Sequence, residues 1–373
     1  MVKSKSKRIV ITGGHHTPAL PVIEELKKKG DFEFYWVGHQ TSLRGEETAS
    51  VEMKTVKKLG IPFYDLRAGK LYKAGFGEWI KIPLGFLRAF YSLLKVRPDL
   101  VFSFGGYLAA PVVLAAFILR IPSVTHEQTV AFGWANRFVA CFAKRIFVSW
   151  EQSLTHFPSK KTVLTGNPLR SVIFEKKTNR FRFRGDLPVV YITGGKQGAH
   201  VINEAVRAAL SRFLERYNVI HQTGSSEVFQ DYQKLVLLRN QLPKNLQGRY
   251  IIQEYFGEGE IGAVFASADI VVGRSGANTV SELAALGKPA VLIPIPWVSH
   301  QEQFKNAQLL ADLGGAVILP QDRLTSAALR ESIDQIASDF PRYRRLAAEA
   351  KKMVDLNAAS KIAREVTHLL NLG

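Results

Sequence analysis

Residues 8–14 read Arg8-Ile-Val-Ile-Thr-Gly-Gly14, and residues 189–195 read Val189-Val-Tyr-Ile-Thr-Gly-Gly195. Each is a short β-branched run that ends in a glycine pair. A helical stretch follows each, over 19–29 and over 201–216. Val, Ile and Tyr suit a buried strand, and a Gly-Gly turn lets the next helix fold closely back on it. Outward from the first run, residues 32–37, 100–104, 123–126 and 145–149 are further short strands, with apolar helical segments between them. From the second, residues 219–223, 250–253, 270–272, 290–294 and 316–319 repeat the pattern. Strands alternating with helices predict a parallel, doubly wound α/β sheet, and the restart predicts two. A chain of 373 residues is also longer than one core usually serves. Thr165-Gly-Asn-Pro168 is a turn signal between the halves. The expected domains are 1–167, 168–342 and a last segment, 343–373, read as one amphipathic helix over Tyr343–Leu370 packing back on the first domain.

Charge is unevenly placed. The chain carries a net +18, of which residues 1–170 (25 Lys/Arg against 12 Asp/Glu) hold +13 and the rest +5. A basic half attracts nucleic acid, anionic lipid or a phosphorylated substrate. No helix-turn-helix, RNP-type or zinc pattern accompanies it, so nucleic acid is not an expected partner. The lone Cys141, in an apolar context, reads as a small buried hydrophobe in a reducing compartment and excludes an internal disulfide. The first residues hold no apolar signal core, and the longest apolar stretch, Leu100–Leu119, is broken by Gly105-Gly106 and Pro111, so neither secretion nor a spanning helix is expected.

Three glycine pairs follow strands: Gly13-Gly14, Gly105-Gly106 and Gly194-Gly195. Such turns bring backbone N–H groups and a helix N-terminus up to a phosphate, so a nucleotide or diphosphate is expected on them. None fits Gly-x-Gly-x-x-Gly or a Walker A motif, against a nicotinamide enzyme or an ATPase. His15, directly after the first pair, can take a proton from an attacking hydroxyl; His16 beside it offers the same chemistry. Gly273-Arg-Ser-Gly-Ala-Asn-Thr-Val-Ser-Glu282 supplies small residues and a carboxylate that can hold a ribose diol. His300-Gln-Glu-Gln-Phe-Lys-Asn306 supplies amides and carboxylates for a polyhydroxylated sugar. No cluster of metal-ligand residues stands out.

In order, these blocks resemble the MurG family, which transfers N-acetylglucosamine from UDP-GlcNAc to undecaprenyl-diphospho-muramoyl-pentapeptide. The matching pieces are Thr12-Gly-Gly-His15, Gly105-Gly-Tyr-Leu-Ala-Ala-Pro111, His126-Glu-Gln128 with Gly133 and Asn136, and Thr165-Gly-Asn-Pro-Leu-Arg170. They continue with Gly194-Gly-Lys-Gln-Gly-Ala199, His221-Gln-Thr-Gly224, Arg274-Ser-Gly-Ala-Asn-Thr-Val-Ser-Glu282 and Gln303–Asn306. The resemblance implies the GT-B architecture, two Rossmann-like domains facing across a cleft, and an inverting displacement at the anomeric carbon. It implies catalytic roles for His15 and Glu127. It places the donor on Gly14, Thr129, Asn136, Arg170, Gly195, Lys196, Tyr255, Phe256, Ser275, Gly276, Thr279, Glu282, Glu302 and Gln303, with Tyr255 and Phe256 flanking the uracil. It places the acceptor on Gly105, Gly106, Tyr107 and His126. It implies no protein-bound metal or other resident cofactor. Three features depart from the family: Val10-Ile11 precede Thr12 in a first loop usually richer in glycine, Thr129 stands where an Asn is usual, and Lys196 where a Ser or Thr is. The same architecture would also serve a transferase acting on diacylglycerol, or a non-hydrolysing epimerase.

Residues 71–98 interleave Phe76, Trp79, Ile80, Leu84, Phe86, Leu87, Phe90, Leu93 and Leu94 with Lys73, Lys81, Arg88, Lys95 and Arg97. An aromatic-rich amphipathic segment with a basic face suits an anionic membrane surface, with Phe76, Trp79, Lys81, Phe86 and Arg88 as the contact set. The expected placement is peripheral, at the cytoplasmic face of the cell membrane.

Overall fold

A computed structural model describes residues 6–40, 51–66, 68, 76–131 and 133–371; at 51, 76–81 and 299 it describes the backbone only. The chain divides into two compact units. One holds residues up to Arg170 together with Asp355 onward, and the other is Ser171–Val354.

The first unit carries strands β1 (Lys7–Thr12), β2 (Phe32–Gly38), β3 (Phe63–Asp65), β4 (Leu100–Ser103), β5 (Ser123–Glu127), β6 (Arg145–Val148) and β7 (Thr162–Leu164). They form one sheet in the order β3-β2-β1-β4-β5-β6-β7, parallel at every pairing. Alternate residues of a strand face opposite sides. Ile9 and Ile11 therefore pack in the cluster that contains Ile362, Ala363 and Val366 of helix Ala358–Asn371. Val10 packs in the opposite cluster with Ala89 and Leu93 of helix Phe76–Val96 and Val112 of helix Ala109–Ile118. Both faces are covered, which is why the strands read as continuous apolar runs.

The second unit carries β8 (Val189–Thr193), β9 (Asn218–Gln222), β10 (Tyr250–Gln253), β11 (Ile270–Gly273), β12 (Ala290–Leu292) and β13 (Ala316–Ile318), in the order β10-β9-β8-β11-β12-β13, again all parallel. Its main core joins Ile192, Val219, Ile270 and Val272 to Ile202, Val206, Leu329 and Ile333 of the covering helices.

Three sequence expectations change. The closing segment is not one helix: Phe340–Glu349 runs into a 3-10 turn at Ala350–Met353, and a new helix starts at Ala358. The chain is extended at Val354 (φ −110°, ψ +128°), and Asp355 then accepts from Asn357 N (2.8 Å), a local bond just ahead of the new helix. Only the part from Asp355 belongs with the first unit. The helix expected over 201–216 is likewise two, His200–Arg207 and Leu210–Arg216. Cys141 is exposed, since helix Trp134–Phe142 turns Val139 and Ala140 inward and leaves Cys141 outside.

Candidate active site

In an open α/β sheet, ligands bind beyond the carboxyl ends of the strands, where the strand order reverses. In the first unit that point lies between β1 and β4. The loops leaving these two strands interlock: Gly14 N donates to Gly105 O (3.1 Å), and Phe104 N donates to Thr12 O (2.8 Å). A Cβ on Gly13, whose φ is +130°, would lie 2.8 Å from Gly105 O, so only glycine fits. His15 leaves this knot with its side chain open to solvent. The protein packed around it still lowers its pKa below the ordinary 6.5. A neutral imidazole at pH 7 can accept a proton. Gly106 and the half-buried Tyr107 lie on the facing loop, with the Tyr107 ring 5.9 Å from that of His39.

Beneath the knot, Glu127 is 3% exposed. Its carboxylate accepts from Thr129 N (3.0 Å) and Thr129 Oγ1 (2.9 Å), and from Asn136 Nδ2. Asn136 Oδ1 in turn accepts from Gly106 N (3.0 Å). Burial raises the Glu127 pKa, and these donors oppose the rise. Glu127 is thus the anchor of a relay that aims the Gly106 backbone. Two donor-side expectations change with it: the Asn136 amide is spent on Glu127 and Gly106, and the Thr129 hydroxyl lies against Glu127 and the Ala131 carbonyl. His126, expected at the acceptor, is fully buried. Its Nε2 lies 3.1 Å from Gly166 O and its Nδ1 3.1 Å from Gln128 Nε2. A carbonyl only accepts, so Nε2 carries the hydrogen and Nδ1 accepts. Burial holds His126 neutral, with a pKa down to about 4. Its role is to tie the Gly166 turn to β5. Arg170, half-buried, is the last residue of the unit before the crossing.

In the second unit the order reverses between β8 and β11. The loop Gly194–Ala199 leaves β8 and rides on the turn after β9. Both contact residues are left-handed glycines: a Cβ on Gly198 would lie 2.1 Å from Thr223 O, and one on Gly224 2.1 Å from Gly198 N. Gly195 is exposed, and Lys196 Nζ stands 5.7 Å from the centre of the Tyr255 ring. Tyr255 is 37% exposed. Phe256 is not: it is fully buried, edge-on to Phe181 (5.3 Å) and Tyr191 (6.1 Å). It presents only backbone, so the expectation that it stacks on a base is corrected.

After β11, the half-buried Arg274 donates to Ile293 O (3.1 Å), and burial lowers its pKa to about 10. Ser275 is fully buried, and its Oγ has no hydrogen-bond partner among the described residues. Gly276 caps helix Ala277–Leu286, which places Thr279 in its first turn and Glu282, 7% exposed, within it. Gln303 Oε1 accepts from Ile295 N (3.1 Å), which leaves its NH2 as the group it can offer a ligand; the half-buried Glu302 precedes it in helix Glu302–Asp312.

Sequence reasoning gave no role to Asn203 or Gln222. Asn203, 2% exposed, donates to Thr223 O (3.0 Å) and Asp231 Oδ2 (2.7 Å) and accepts from His221 Nε2 (3.1 Å). Burial lowers the His221 pKa to about 3, so its Nδ1 accepts from Tyr250 O–H (2.8 Å). The network fixes the turn on which Gly198 sits. Among the described residues, His200, Glu204 and Asp231 form a group whose ligand atoms lie within 4.8 Å of one another. Arg207 occupies Glu204 with two bonds (2.8 Å each), and His200 (2.8 Å) and Asn203 occupy Asp231.

Residues 11–148 match the glycosyltransferase family 28 N-terminal domain, and residues 189–366 match its C-terminal domain. A relative from Lachnoclostridium phytofermentans is named UDP-N-acetylglucosamine–N-acetylmuramyl-(pentapeptide) pyrophosphoryl-undecaprenol N-acetylglucosamine transferase. It is 34% identical over 350 residues, covering 90% of this chain and 92% of the relative. The chain belongs to the MurG family. A Bacillus cereus MurG-family transferase of the same name is 33% identical, covering 94% and 95%. The crystal structure of Acinetobacter baumannii MurG superposes with a TM-score of 0.71 at 26% identity, covering 97% of this chain and 99% of that one. A UDP-GlcNAc 2-epimerase from Neisseria meningitidis, 15% identical with a TM-score of 0.64 and covering 97% and 100%, shares the fold.

Proposed function

We propose that this MurG-family chain moves N-acetylglucosamine from UDP-GlcNAc to undecaprenyl-diphospho-muramoyl-pentapeptide, with inversion at the anomeric carbon. The supporting observation is the interlocked pair of glycine loops at the reversal point of the first sheet, which holds a neutral imidazole, His15, open to solvent. His15 takes the proton of the acceptor hydroxyl as its oxygen bonds to the anomeric carbon. The bond from that carbon to the UDP β-phosphate oxygen breaks, and UDP leaves with the electron pair. Gly105, Gly106 and Tyr107 receive the acceptor, with Glu127 and Asn136 as positioning residues behind them. In the second unit, backbone N–H groups of Gly195–Ala199 and of Ser275–Thr279 hold the diphosphate, with Lys196 adding charge. Tyr255 lies on the base, Glu282 takes the ribose, and Glu302 and Gln303 take the sugar hydroxyls. Departing charge is met by fixed dipoles and Lys196, so the reading requires no resident metal.

The membrane side of the reading rests on helix Phe76–Val96. Ala89, Leu93 and Val96 are buried, and Phe86 and Phe90 pack partly on the same core. Phe86 therefore leaves the contact set. Leu84, Leu87, Tyr91 and Leu94 are 43–68% exposed on the outer face, where Arg88 is half-buried. Phe117 and Trp134 are exposed on neighbouring helices. The side chains of Phe76, Trp79 and Lys81 lie outside the described residues. Among the described residues no helix is long and apolar enough to cross a membrane. The proposed mode is peripheral contact with an anionic cytoplasmic leaflet through this face.

The test is turnover of UDP-GlcNAc with a soluble analogue of the lipid-linked muramoyl-pentapeptide, with the product followed by mass. Transfer that His15→Ala abolishes while UDP binding persists supports the reading. Transfer to diacylglycerol instead, or epimerisation of UDP-GlcNAc with no acceptor present, sinks it.

A further inference from the structure

Gln222 closes β9 and is 4% exposed. Its Nε2 donates to Thr193 Oγ1 (3.0 Å) and to Gly195 O (3.0 Å). Its Oε1 accepts from Phe256 N (3.0 Å). Thr193 Oγ1 also accepts from Gly195 N (3.0 Å). Every hydrogen of this amide is used, and its three partners are the last residue of β8 and groups on two different loops. One loop carries Gly195 and Lys196; the other carries Tyr255 and Phe256.

The geometry has a directional consequence. In a trans peptide the carbonyl and the following N–H point to opposite sides. Gly195 O accepts from Gln222 Nε2 (3.0 Å) and, more weakly, from Gly198 N (3.3 Å), so the N–H of Lys196 is turned away from Gln222. Gly195 itself is exposed. The left-handed backbone of Gly195 (φ +84°) makes the orientation accessible. The other end of the same amide holds the peptide beside Tyr255, over whose ring Lys196 Nζ stands.

We propose that Gln222 is a positioning residue that aims the Lys196 backbone N–H at the donor diphosphate and couples this loop to the one that receives the base. The inference rests on the donor assignment above and deepens it. Base capture at Tyr255 and diphosphate capture at Gly195–Lys196 then share one side chain, so UDP gains more over uridine than either loop could supply alone.

The experiment measures the affinities of uridine and of UDP by calorimetry for the full-length wild type, Gln222→Met and Gln222→Glu, with thermal melts as a fold control. Met keeps the length but neither donates to Gly195 O nor holds Phe256 N. Glu still accepts from Phe256 N but, ionised, cannot donate to Gly195 O. In Gln222→Met the preference for UDP over uridine falls about tenfold, the size expected for losing such bonds. In Gln222→Glu uridine binding stays within about threefold while UDP binding falls by more than tenfold. A preference for UDP unchanged within twofold in both variants overturns the proposal, even if their melting temperatures fall, because that pattern is what a purely structural side chain gives. If Gln222→Met does not fold, Gln222→Glu decides by the same criterion. A wild type that binds no UDP overturns the donor assignment itself and is told apart by the first titration.

Discussion

Gly195 and Gly198 have nearly the same backbone conformation, φ +84° and +85°, yet alanine at each should behave differently. Left-handed backbone costs a non-glycine residue roughly 1–2 kcal/mol, and both variants carry that cost. At Gly195 nothing lies within 4 Å of the added Cβ, so the cost stops there. At Gly198 the Cβ would lie 2.1 Å from Thr223 O and 3.1 Å from Gly224 Cα, both backbone atoms that cannot swing aside as a flexible side chain would. Ordinary contact needs about 1 Å more, and forcing atoms into a packed site costs about 1–3 kcal/mol. Thr223 cannot retreat, because Asn203 and Gln253 hold its carbonyl and N–H at 3.0 Å each. Gly198→Ala is therefore expected to destabilise by about 2–5 kcal/mol and Gly195→Ala by about 1–2. Urea unfolding of the two variants without ligand measures the gap. Equal stabilities, within about 0.5 kcal/mol, would show that the loop does not rest on the Thr223–Gly224 turn.

Four further outcomes are expected. For wild type, kcat/KM should fall on the acid side only below pH 6.5, because a base must be neutral to act and His15 titrates below its ordinary value; an acid limb above pH 7 refutes its role. Asn136→Ala leaves Gly106 N and Glu127 without their partner, so acceptor KM should rise about tenfold with UDP affinity unchanged; a change in UDP affinity alone would return Asn136 to the donor side. Replacing Leu87 and Tyr91 together by Ser should lower binding to anionic vesicles with little loss of stability, whereas Phe86→Ser should cost about 2–4 kcal/mol in urea unfolding; the reverse pattern contradicts the assigned faces of the helix. Burial lifts the Glu52 pKa to about 7 against an unfolded 4.5, so the folded state binds its proton more tightly and loses stability as pH rises from 4.5 through 7; Glu52→Gln, which keeps the acceptor for Trp36 Nε1, should stabilise by on the order of 2 kcal/mol at pH 8 and by almost nothing at pH 4, as read from pH-dependent unfolding.

The sheets were legible because a strand covered on both faces is apolar through its middle, and Ile9–Ile11 and Val189–Ile192 obey that rule whatever their partners. The edge strands Phe63–Asp65 and Thr162–Leu164 are three residues each, too short for any period to register. The break between Met353 and Ala358 was hidden because apolar spacing continues across it, and Asp355, whose bond to Asn357 N precedes the new helix, looks in sequence like any exposed acid.

The glycine loops were legible for a different reason from the side chains around them. A glycine at a left-handed turn is dictated by local backbone, so its residue type announces its position. A polar side chain at the same sheet edge carries no such mark: His126, Glu127 and Thr129 follow one another in sequence, and type alone makes any of them a ligand. What separates them is whether a nearer partner already exists. Gly166 O claims His126, and Thr129 with Asn136 claims Glu127, through bonds to residues up to 40 positions away. His15 follows the loop that packs on Phe104 and Gly105, and it stays exposed. In the second unit Gln222 and Asn203 are held by backbone groups of the loops, and Lys196 Nζ stands over the Tyr255 ring. In both units side-chain amides hold the glycine loops still: Asn136 on Gly106 N in the first, Gln222 on Gly195 O and Asn203 on Thr223 O in the second.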